Sequence, residues 1–293
     1  MRMITIILPV YNDWPNLFRI LTDIERIKKK QKIKINTLIV NDSSTDKFNY
    51  KKFNFEKTIY LNLRKNVGSQ KAIATGIMFA IKSKIGDRFI IMDSDGEDNP
   101  NEISNIIKLS KNEKIQVITM NRTMRHESFL FSILYELHLF ITFFLTFHYI
   151  RFGNFTYLKF DSMKKISLKK DLWMAYSSTV SKYLSKKENI IAPRKKRYSG
   201  KSKMKYWQLF LHSFRILGVF RGRILMTSVF YLMLLGSFFD LDFYNVYFLI
   251  PFLFLTSINS TIIAIHLYFK KNKLKLFNCL KNIKSIKVFK NLN

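Results

Sequence analysis

The first part of the chain, up to about Asn121, alternates short apolar runs rich in β-branched residues with longer stretches that suit helices. The predicted strands are Ile4–Pro9, Thr37–Asn41, Thr58–Leu63, Phe89–Asp93 and Gln116–Met120, and the predicted helices are Trp14–Lys29, Gly68–Ser83 and Asn101–Lys111. Such alternation predicts an α/β fold with a mostly parallel sheet covered by helices on both faces. Sheets of this kind bind ligands at the carboxyl ends of their strands, so functional residues are expected there.

A cluster of carboxylates follows the fourth predicted strand, in the run DSDGEDNP from Asp93 to Pro100. Residues two apart in an extended chain point to the same side, so Asp93 and Asp95 can present their oxygens to one cation. Hard divalent cations such as Mg²⁺ prefer oxygen ligands of this type. An acidic turn ended by Gly96 is the alternative interpretation.

Other polar residues follow or precede predicted elements where a nucleotide could bind. Asp13 and Asp42 each follow a strand, and ionised carboxylates accept hydrogen bonds from a nucleobase edge and a ribose hydroxyl. Capping of the next helix is a competing role for Asp13. Asn66, Gly68 and Lys71 precede or open a helix, where free N–H groups and a cation suit a phosphate, although helix entry alone would explain Gly68.

The chain is strongly basic, with 50 Lys and Arg against 20 Asp and Glu in 293 residues and a formal net charge of +30. This charge favours an anionic partner such as a phospholipid surface, a nucleotide or a nucleic acid. The single cysteine, Cys279, excludes an internal disulfide framework. The apolar run at Ile4–Leu8 is too short for a secretory signal and indicates a first strand instead.

The segment Phe129–Ile150 is apolar but carries polar residues three or four positions apart, which form a stripe on one helix face. Glu136 and His138 near its middle would be costly in hydrocarbon. We therefore predict an amphipathic helix over 128–150 that lies in a membrane interface or covers the α/β domain. Burial in a soluble core is the alternative.

Two nearly uncharged stretches, Ile224–Phe239 and Val246–Phe269, are separated by a short acidic turn. Their lengths and composition predict two membrane-spanning helices, with a buried helical hairpin of a soluble protein as the alternative. Arg and Lys residues flank the pair on both sides while the turn carries none, so the positive-inside rule places both ends in the cytoplasm. The prediction is a multi-pass protein of the cytoplasmic (inner) membrane.

The predicted organisation has three parts: an α/β domain over 1–220, which includes the helix 128–150; a transmembrane hairpin over 221–270; and a basic cytoplasmic tail over 271–293. In the tail, Phe277, Leu280 and Ile283 are spaced for one face of a helix. A basic amphipathic helix of this kind is expected to rest on an anionic membrane.

Several ordered motifs, over Ile4 to about Phe220, resemble glycosyltransferase family 2, in particular the membrane-anchored enzymes that load a sugar onto a polyisoprenyl phosphate, such as dolichyl-phosphate mannose synthase and its bacterial relatives. The motifs are PVYND at 9–13, VNDSSTD at 40–46, RKNVG at 64–68 with Lys71-Ala72, MDSDGEDNP at 92–100, GNF at 153–155 and RKKRYSGKSK at 194–203. Single motifs are weak signals, whereas their order and spacing together are specific. The resemblance implies a GT-A fold, a Rossmann-like mostly parallel sheet.

The resemblance also implies roles for individual residues. The residues implied to bind the nucleotide sugar are Pro9, Tyr11, Asp13, Asp42, Asn66, Gly68, Lys71, Asp93 and Ser94. A cofactor, Mg²⁺ or Mn²⁺, is implied to bind to Asp93 and Asp95. The residues implied to bind the phosphate of the acceptor are Arg122, Arg125, Arg194, Arg197, Ser202 and Lys203, since the guanidinium group of arginine can bind two phosphate oxygens at once. A solvated basic loop is the alternative for any one of these arginines.

The chain departs from the family pattern at Asn154, where many relatives carry Asp in a G-D-F motif. An amide cannot act as a base, so a role of that Asp in proton transfer or positioning passes to Asp95 or Asp98 or is not needed. Relatives also carry an Arg along the helix after the fifth strand, and Phe129–Ile150 has none. The Q-x-x-R-W motif of processive synthases is absent, which favours transfer of a single sugar.

The expected function is inverting transfer of one sugar from a UDP- or GDP-linked donor to a polyprenyl phosphate, with undecaprenyl phosphate as the lipid in a bacterium. Transfer to a glycan or another lipid is one alternative, and a non-catalytic membrane protein that binds anionic lipid is another. Nucleic-acid binding is not expected, because many of the aromatic residues belong to apolar runs. The sequence leaves a homo-oligomer open.

Overall fold

The computed structural model describes residues 3–48, 55, 57–122, 129–200, 206–239, 245–271 and 276–289. The chain divides into two compact units. The first comprises Met1–Glu127, Arg151–Ser202 and Leu274–Asn293, and the second comprises Ser128–Ile150 and Lys203–Lys273. The helix around 128–150 thus groups with the C-terminal helices rather than with the α/β domain, and the C-terminal segment groups with the first unit.

The first unit is built around a sheet of eight described strands: β1 (Ile4–Val10), β2 (Ile35–Asn41), β3 (Thr58–Leu63), β4 (Arg88–Ile91), β5 (Val117–Arg122), β6 (Phe152–Lys159), β7 (Glu188–Ala192) and β8 (Ile283–Phe289). Their order across the sheet is β7-β5-β6-β4-β1-β2-β3-β8. Strand β1 is parallel to β2 and β4, β2 is parallel to β3, and β5 is parallel to β7. Strands β6 and β8 pair antiparallel with their neighbours. The predicted α/β fold with a mostly parallel sheet is confirmed.

The helices of the first unit are α1 (Trp14–Gln31), α2 (Ser69–Lys82), α3 (Glu102–Ser110), α5 (Phe160–Ser167) and α6 (Tyr176–Tyr183), where α4 (Phe129–Thr146) is the intervening helix of the second unit. All seven residues of β1 are buried, as expected for a central strand. Gly76 lets α2 approach the sheet, because a Cβ at this position would lie 2.8 Å from Ile7 Cγ2 and 2.9 Å from Val40 Cγ2. The five strands and three helices predicted before residue 121 are confirmed within a few residues.

The C-terminal segment corrects the prediction of a helical tail. Residues Leu276–Asn282 form a 3-10 helix and Ile283–Phe289 form β8, which pairs with the edge of β3. Cys279 and Asn282 are buried, so this segment is part of the first unit. The physical reason is that β3 would otherwise leave a row of unpaired backbone groups at the sheet edge, and the β-branched residues of β8 suit a strand.

The second unit contains α4, α7 (Tyr206–Val219), α8 (Arg221–Phe239) and α9 (Val246–Lys271). Within the described residues, the segments Arg221–Phe239 and Val246–Tyr268 are long and apolar enough to cross a membrane. Polar contacts tie the helices together: Asn259 Nδ2 donates to Ser228 Oγ at 2.9 Å, and Thr227 Oγ1 donates to the carbonyl of Leu145 at 2.8 Å.

Helix α4 turns its polar stripe inward and its apolar face outward. Thr142 and Thr146 are buried, whereas Leu134, Phe140 and Phe144 are exposed. This arrangement is the reverse of a helix on the surface of a soluble protein. The alternative for this segment was burial in a soluble core. The exposed apolar side chains on the outer face of α4 do not fit that alternative.

Candidate active site

The carboxylate cluster forms a tight loop after β4, and its own side chains hold it in shape. Ser94 Oγ donates to the carbonyl oxygen of Pro9 at 2.7 Å, which fastens the loop to the end of β1. Asp98 Oδ2 accepts from the backbone N–H of Asp93 at 3.0 Å, and Asp95 Oδ1 accepts from that of Glu97 at 3.0 Å. The loop therefore lies at the carboxyl ends of parallel strands, where the sequence predicted it.

Arg122, at the end of β5, joins two of these carboxylates. Its Nη2 donates to Asp98 Oδ1 at 3.1 Å and lies 3.5 Å from Asp93 Oδ2. Burial raises the pKa of Asp98, while the charge of Arg122 opposes that shift. Gly153 makes room for the guanidinium, since a Cβ there would lie 2.5 Å from Arg122 Cζ.

The basic segment, which we define as residues 194–199, packs against the same loop. Arg197 Nη1 donates to Asp95 Oδ2 at 3.3 Å, and its Nη2 forms an ion pair with Asp13. Arg194 forms an ion pair with Glu97. Two backbone hydrogen bonds, Lys195 N–H to Glu97 O at 2.9 Å and Tyr198 N–H to Asp95 O at 3.3 Å, align the segment with the loop.

Gly96 is required by the contact between the loop and the basic segment. Its φ of +88° lies in the left-handed region, and a Cβ would meet the ring of Tyr198 at 2.4 Å. Arg197 therefore reaches Asp13 and Asp95 from a segment whose backbone and ring both pack on the carboxylate loop.

Asp42 follows β2, and its side chain binds the backbone just before the N-terminus of α2. Its two oxygens accept from the backbone N–H groups of Val67 and Gly68, both at 2.8 Å. Burial raises the pKa of Asp42 to about 6, although these two hydrogen bonds and the charge of Lys71 act in the other direction. The Lys71 ammonium itself lies 5.3 Å from the ring centroid of Trp173.

Asp13 makes no capping hydrogen bond to the backbone of α1. Its Oδ1 accepts from Asn16 Nδ2 at 2.8 Å, and its other oxygen meets Arg197. The capping role that the sequence left open is therefore not realised by the side chain, which points into the site.

A chain of side-chain amides reaches the carboxylate loop from α2. Asn154, in β6, donates from Nδ2 to Asp93 Oδ1 at 2.8 Å, and Gln70 Nε2 donates to Asn154 Oδ1 at 3.2 Å. Gln70 Oε1 accepts from the backbone N–H of Tyr176 at 2.7 Å. Asp42 and Asp93 are thus both connected to the first turn of α2.

The structure brings many of the predicted site residues together by direct contacts. Those joined by direct contacts at the carboxylate loop are Pro9, Asp13, Asp93, Ser94, Asp95, Asp98, Arg122, Arg194 and Arg197. Asp42, Gly68 and Lys71 gather at the start of α2, whereas Tyr11 and Asn66 are exposed in neighbouring loops. Arg125, Ser202 and Lys203 lie outside the described residues.

Sequence reasoning missed three contributors, Gln70, Glu97 and Asn16, and considered Asn154 only as a departure from the family pattern. Glu97 lies within the acidic run and could have been included as the partner of a basic residue. Gln70 carried no signal of its own, because its partner Asn154 is 84 residues away, and the contact of Asn16 with Ser199 spans 183 residues of the chain. Such long-range contacts are set by the sheet topology and not by local spacing.

The donor set at this loop fits a divalent cation that shares its coordination with a substrate. Among the residues that the structure describes, no group of three or more His, Cys, Asp and Glu side chains is placed to enclose a metal. Burial raises the pKa of Asp95 to about 7, and the neighbouring charges of Asp93 and Glu97 add to the shift. Asp93 and Asp95 would supply two carboxylate ligands to a cation, whose positive charge would reduce the repulsion between these acids. Phosphate oxygens of the substrate would complete the coordination shell, as Mg²⁺ prefers.

Known proteins share this fold. A crystal structure of glucosyl-3-phosphoglycerate synthase from Mycobacterium tuberculosis, in complex with Mn²⁺, uridine diphosphate and phosphoglyceric acid, matches with a TM-score of 0.52 and 12% identity over 76% of this chain and 78% of that one. Mannosyl-3-phosphoglycerate synthase from Rubrobacter xylanophilus matches with a TM-score of 0.52 and 10% identity, over 76% and 74%. These likenesses show a GT-A-like fold.

An uncharacterized protein of Methanocaldococcus jannaschii is 26% identical over 125 residues, which cover 41% of this chain and 52% of that protein. The match therefore spans about half the length of that relative. Residues 5–171, more than half of the chain, match the family described as glycosyl transferase family 2. The chain therefore belongs to glycosyl transferase family 2, and it has a GT-A-like fold.

Proposed function

We propose that the protein is a membrane-anchored, inverting enzyme that transfers one sugar from a nucleotide sugar to a polyprenyl phosphate at the cytoplasmic face. The observation that carries this proposal is the position of Arg197. Its guanidinium joins Asp13, an acid assigned to the nucleoside, to Asp95, an acid assigned to the cation. A group suited to a phosphate thus lies between these two acids, which supports binding of the acceptor phosphate next to the donor.

The donor half of the site would use the ends of β1, β2 and β4. Asp13 and Asp42 would accept hydrogen bonds from the nucleoside, with Pro9, Tyr11, Asn66, Gly68, Lys71 and Ser94 lining the same crevice. Asp93 and Asp95 would hold Mg²⁺ or Mn²⁺, which supplies charge neutralisation for the leaving diphosphate. At about 4 Å and an effective dielectric of about 20, one unit charge pair contributes about 4 kcal/mol, which is enough to change a rate about a thousandfold.

The acceptor half would use the basic segment. Arg194 and Arg197, together with Arg122, Arg125, Ser202 and Lys203, would bind the phosphate of the acceptor. In the structure the charge of Arg197 is satisfied by Asp13 and Asp95. Binding of the donor and its cation to those acids would release the guanidinium for the phosphate.

An acceptor phosphate is already ionised, so the need for a general base is small and positioning dominates. Asp98 suits that positioning role, because it is buried and receives hydrogen bonds from Arg122 and from the backbone of Asp93. Asp95 belongs to the carboxylate loop and accepts a hydrogen bond from Arg197, so binding of the donor at this acid would affect the arginine that binds the acceptor.

Membrane attachment is supported by the outer faces of the second unit. Exposed large apolar side chains are present on α4, α8 and α9, including Phe140, Met226, Phe238, Tyr247 and Ile250. Exposed aromatic and aliphatic side chains in this number are typical of helices that contact lipid.

Strand pairing restricts how the chain could cross the membrane. Helix α4 lies between β5 and β6, which pair with each other, so α4 alone cannot place them on opposite sides of a bilayer. Strands β7 and β8 also belong to one sheet, so the segment between them must cross an even number of times. Two crossings by α8 and α9 satisfy this condition.

The test is transfer of radiolabelled sugar by membranes that contain the protein, with a panel of UDP- and GDP-sugars and undecaprenyl phosphate as acceptor. We expect one donor to give a labelled lipid, from which mild acid releases the labelled sugar. The Asp93→Asn/Asp95→Asn variant is expected to give no labelled lipid. Parallel reactions with 3-phosphoglycerate and with a glycan acceptor distinguish the alternatives. Label in either of those products, with none in the lipid, would overturn the polyprenyl-phosphate assignment.

A further inference from the structure

A relay of two side-chain amides, formed by Gln70 and Asn154, connects the first turn of α2 to Asp93. Gln70 is buried, and its side chain lies between the backbone of Tyr176 and Asn154. Neither amide can ionise, and neither was assigned a role in binding or catalysis. Their contacts end on an acid that the proposed function assigns to the cation.

The direction of every hydrogen bond in this relay is fixed from one end. The backbone N–H of Tyr176 can only donate, so the atom of Gln70 that faces it at 2.7 Å must be the carbonyl oxygen. The amide nitrogen of Gln70 then faces Asn154, whose oxygen must accept at 3.2 Å. The nitrogen of Asn154 is left to donate to Asp93 Oδ1 at 2.8 Å.

The relay holds one oxygen of Asp93 and thereby orients the other. Oδ1 is taken by Asn154, while Oδ2 faces the guanidinium of Arg122 at 3.5 Å, a long contact that leaves it the weaker-held oxygen. A carboxylate at position 154 would instead bring two acceptors together at the 2.8 Å contact. An amide there supplies a neutral donor and avoids that repulsion.

We propose that Gln70 and Asn154 are positioning residues that orient Asp93 for the divalent cation, with Gln70 acting only through Asn154. This inference rests on the proposed function, because it takes Asp93 as a ligand of the cation. Partners that orient a metal ligand affect metal affinity about 10- to 100-fold when they are replaced. The relay therefore predicts an effect of that size from residues that do not touch the cation.

The sharpest variant is Gln70→Glu, which keeps the shape of the side chain and removes its donor. One oxygen of the new carboxylate still accepts from Tyr176, but the other can only accept. Asn154 then lies between two groups that can only accept, so either its contact with residue 70 or its contact with Asp93 loses its hydrogen bond and the relay is broken. Asn154→Leu removes the relay altogether and serves if the first variant does not fold.

The measurement is the Kd of Mn²⁺ for the full-length protein in detergent, taken from the electron paramagnetic resonance signal of free Mn²⁺, with and without UDP or GDP. We expect Gln70→Glu and Asn154→Leu each to raise this Kd about tenfold or more. The double variant is expected to bind Mn²⁺ with the same Kd as Asn154→Leu alone. If Gln70 acts only through Asn154, its replacement has no further effect once Asn154 is replaced. The control is Gln116→Glu, the same charge change at the residue before β5, which should leave the Kd unchanged.

The outcomes separate the relay from the function on which it rests. If the wild-type protein binds Mn²⁺ and nucleotide, and both single variants bind Mn²⁺ within twofold of wild type, the relay is wrong and the proposed function stands. Additive losses in the double variant would assign Gln70 a separate structural role and also overturn the relay. If the wild-type protein itself binds no Mn²⁺ with either nucleotide, the metal-dependent function and the relay fall together.

Discussion

At the scale of single residues, the ion pair of Arg122 and Asp98 joins the carboxylate loop to the end of β5. The Asp98 side chain is 3% exposed and that of Arg122 is 14% exposed, so each charge depends on the other. Removing one partner of such a pair leaves an uncompensated buried charge, which typically costs about 3–5 kcal/mol.

We predict that Arg122→Met lowers the free energy of unfolding by about 3 kcal/mol or more, measured by urea denaturation. The double variant Arg122→Met/Asp98→Asn should recover part of this loss, because no buried charge remains unpaired. Equal losses in the single and double variants would show that the ion pair does not account for the stability of the loop.

Asp42 gives a prediction about pH. Burial raises its pKa from 3.8 to about 6, so the folded protein binds a proton that the unfolded chain has already lost between about pH 4 and pH 6. Asp42 therefore destabilises the fold when it is ionised, and its contribution to stability increases as the pH falls through 6. From pH 7 to pH 5 the wild type should gain about 1 kcal/mol relative to Asp42→Asn.

The measurement is the difference in unfolding free energy between wild type and Asp42→Asn at pH 7 and pH 5. Nucleotide affinity should change in the opposite direction, because a protonated carboxyl loses one acceptor oxygen for the amides and the nucleoside. A pH-independent difference between the two proteins would contradict the raised pKa.

At the scale of elements, β8 supports the loop that leads into α2. Its pairing with β3 is continued by two contacts from Asn282: its carbonyl accepts from the N–H of Arg64 at 2.7 Å, and its side chain donates to Lys65 O at 3.4 Å. The C-terminal strand thus helps to hold the residues that precede Val67 and Gly68, whose N–H groups bind Asp42.

Proline substitutions at Ser285 and Ile286 test this support. Neighbouring residues of an edge strand turn their N–H groups alternately toward and away from the sheet, so one proline removes a hydrogen bond with β3 and the other does not. We expect one variant to be less stable than the other by about 1–3 kcal/mol, with faster hydrogen exchange in β3. Equal stability and equal exchange would show that β8 does not support this edge.

The elements also show what the sequence could and could not predict. The strands that end at Val10, Asn41 and Ile91 were found because buried parallel strands are short apolar runs, and their polar termini located Asp42 and Asp93. Strand β8 was missed because Phe277, Leu280 and Ile283 are spaced for one helix face, and this spacing was taken to continue through the basic residues that follow. The relay from Gln70 was missed because it depends on β6 inserting between β4 and β5.

At the scale of the whole molecule, the proposal requires both compact units to serve one reaction, with the hairpin in the membrane and both chain ends in the cytoplasm. Return of β8 to the sheet already demands an even number of crossings between β7 and β8. The orientation rests on the flanking basic residues.

Cysteine labelling tests this topology in a Cys279→Ala background. We predict that Asp242→Cys reacts with a membrane-impermeant maleimide in intact spheroplasts, and that Lys287→Cys reacts only after the membrane is opened. The reverse pattern would place the catalytic unit outside the cell, and labelling of both positions in intact spheroplasts would exclude two crossings.

The most direct test of the central claim is the thermal stabilisation of the full-length protein by UDP and GDP, with and without Mn²⁺. The claim is that Asp93 and Asp95 and a nucleotide diphosphate share one cation. It predicts that one nucleotide raises the melting temperature much more with Mn²⁺ than without it, since stabilisation grows with ligand affinity, and that Asp93→Asn/Asp95→Asn abolishes this synergy. Equal stabilisation with and without Mn²⁺, or synergy that persists in the double variant, would contradict the account.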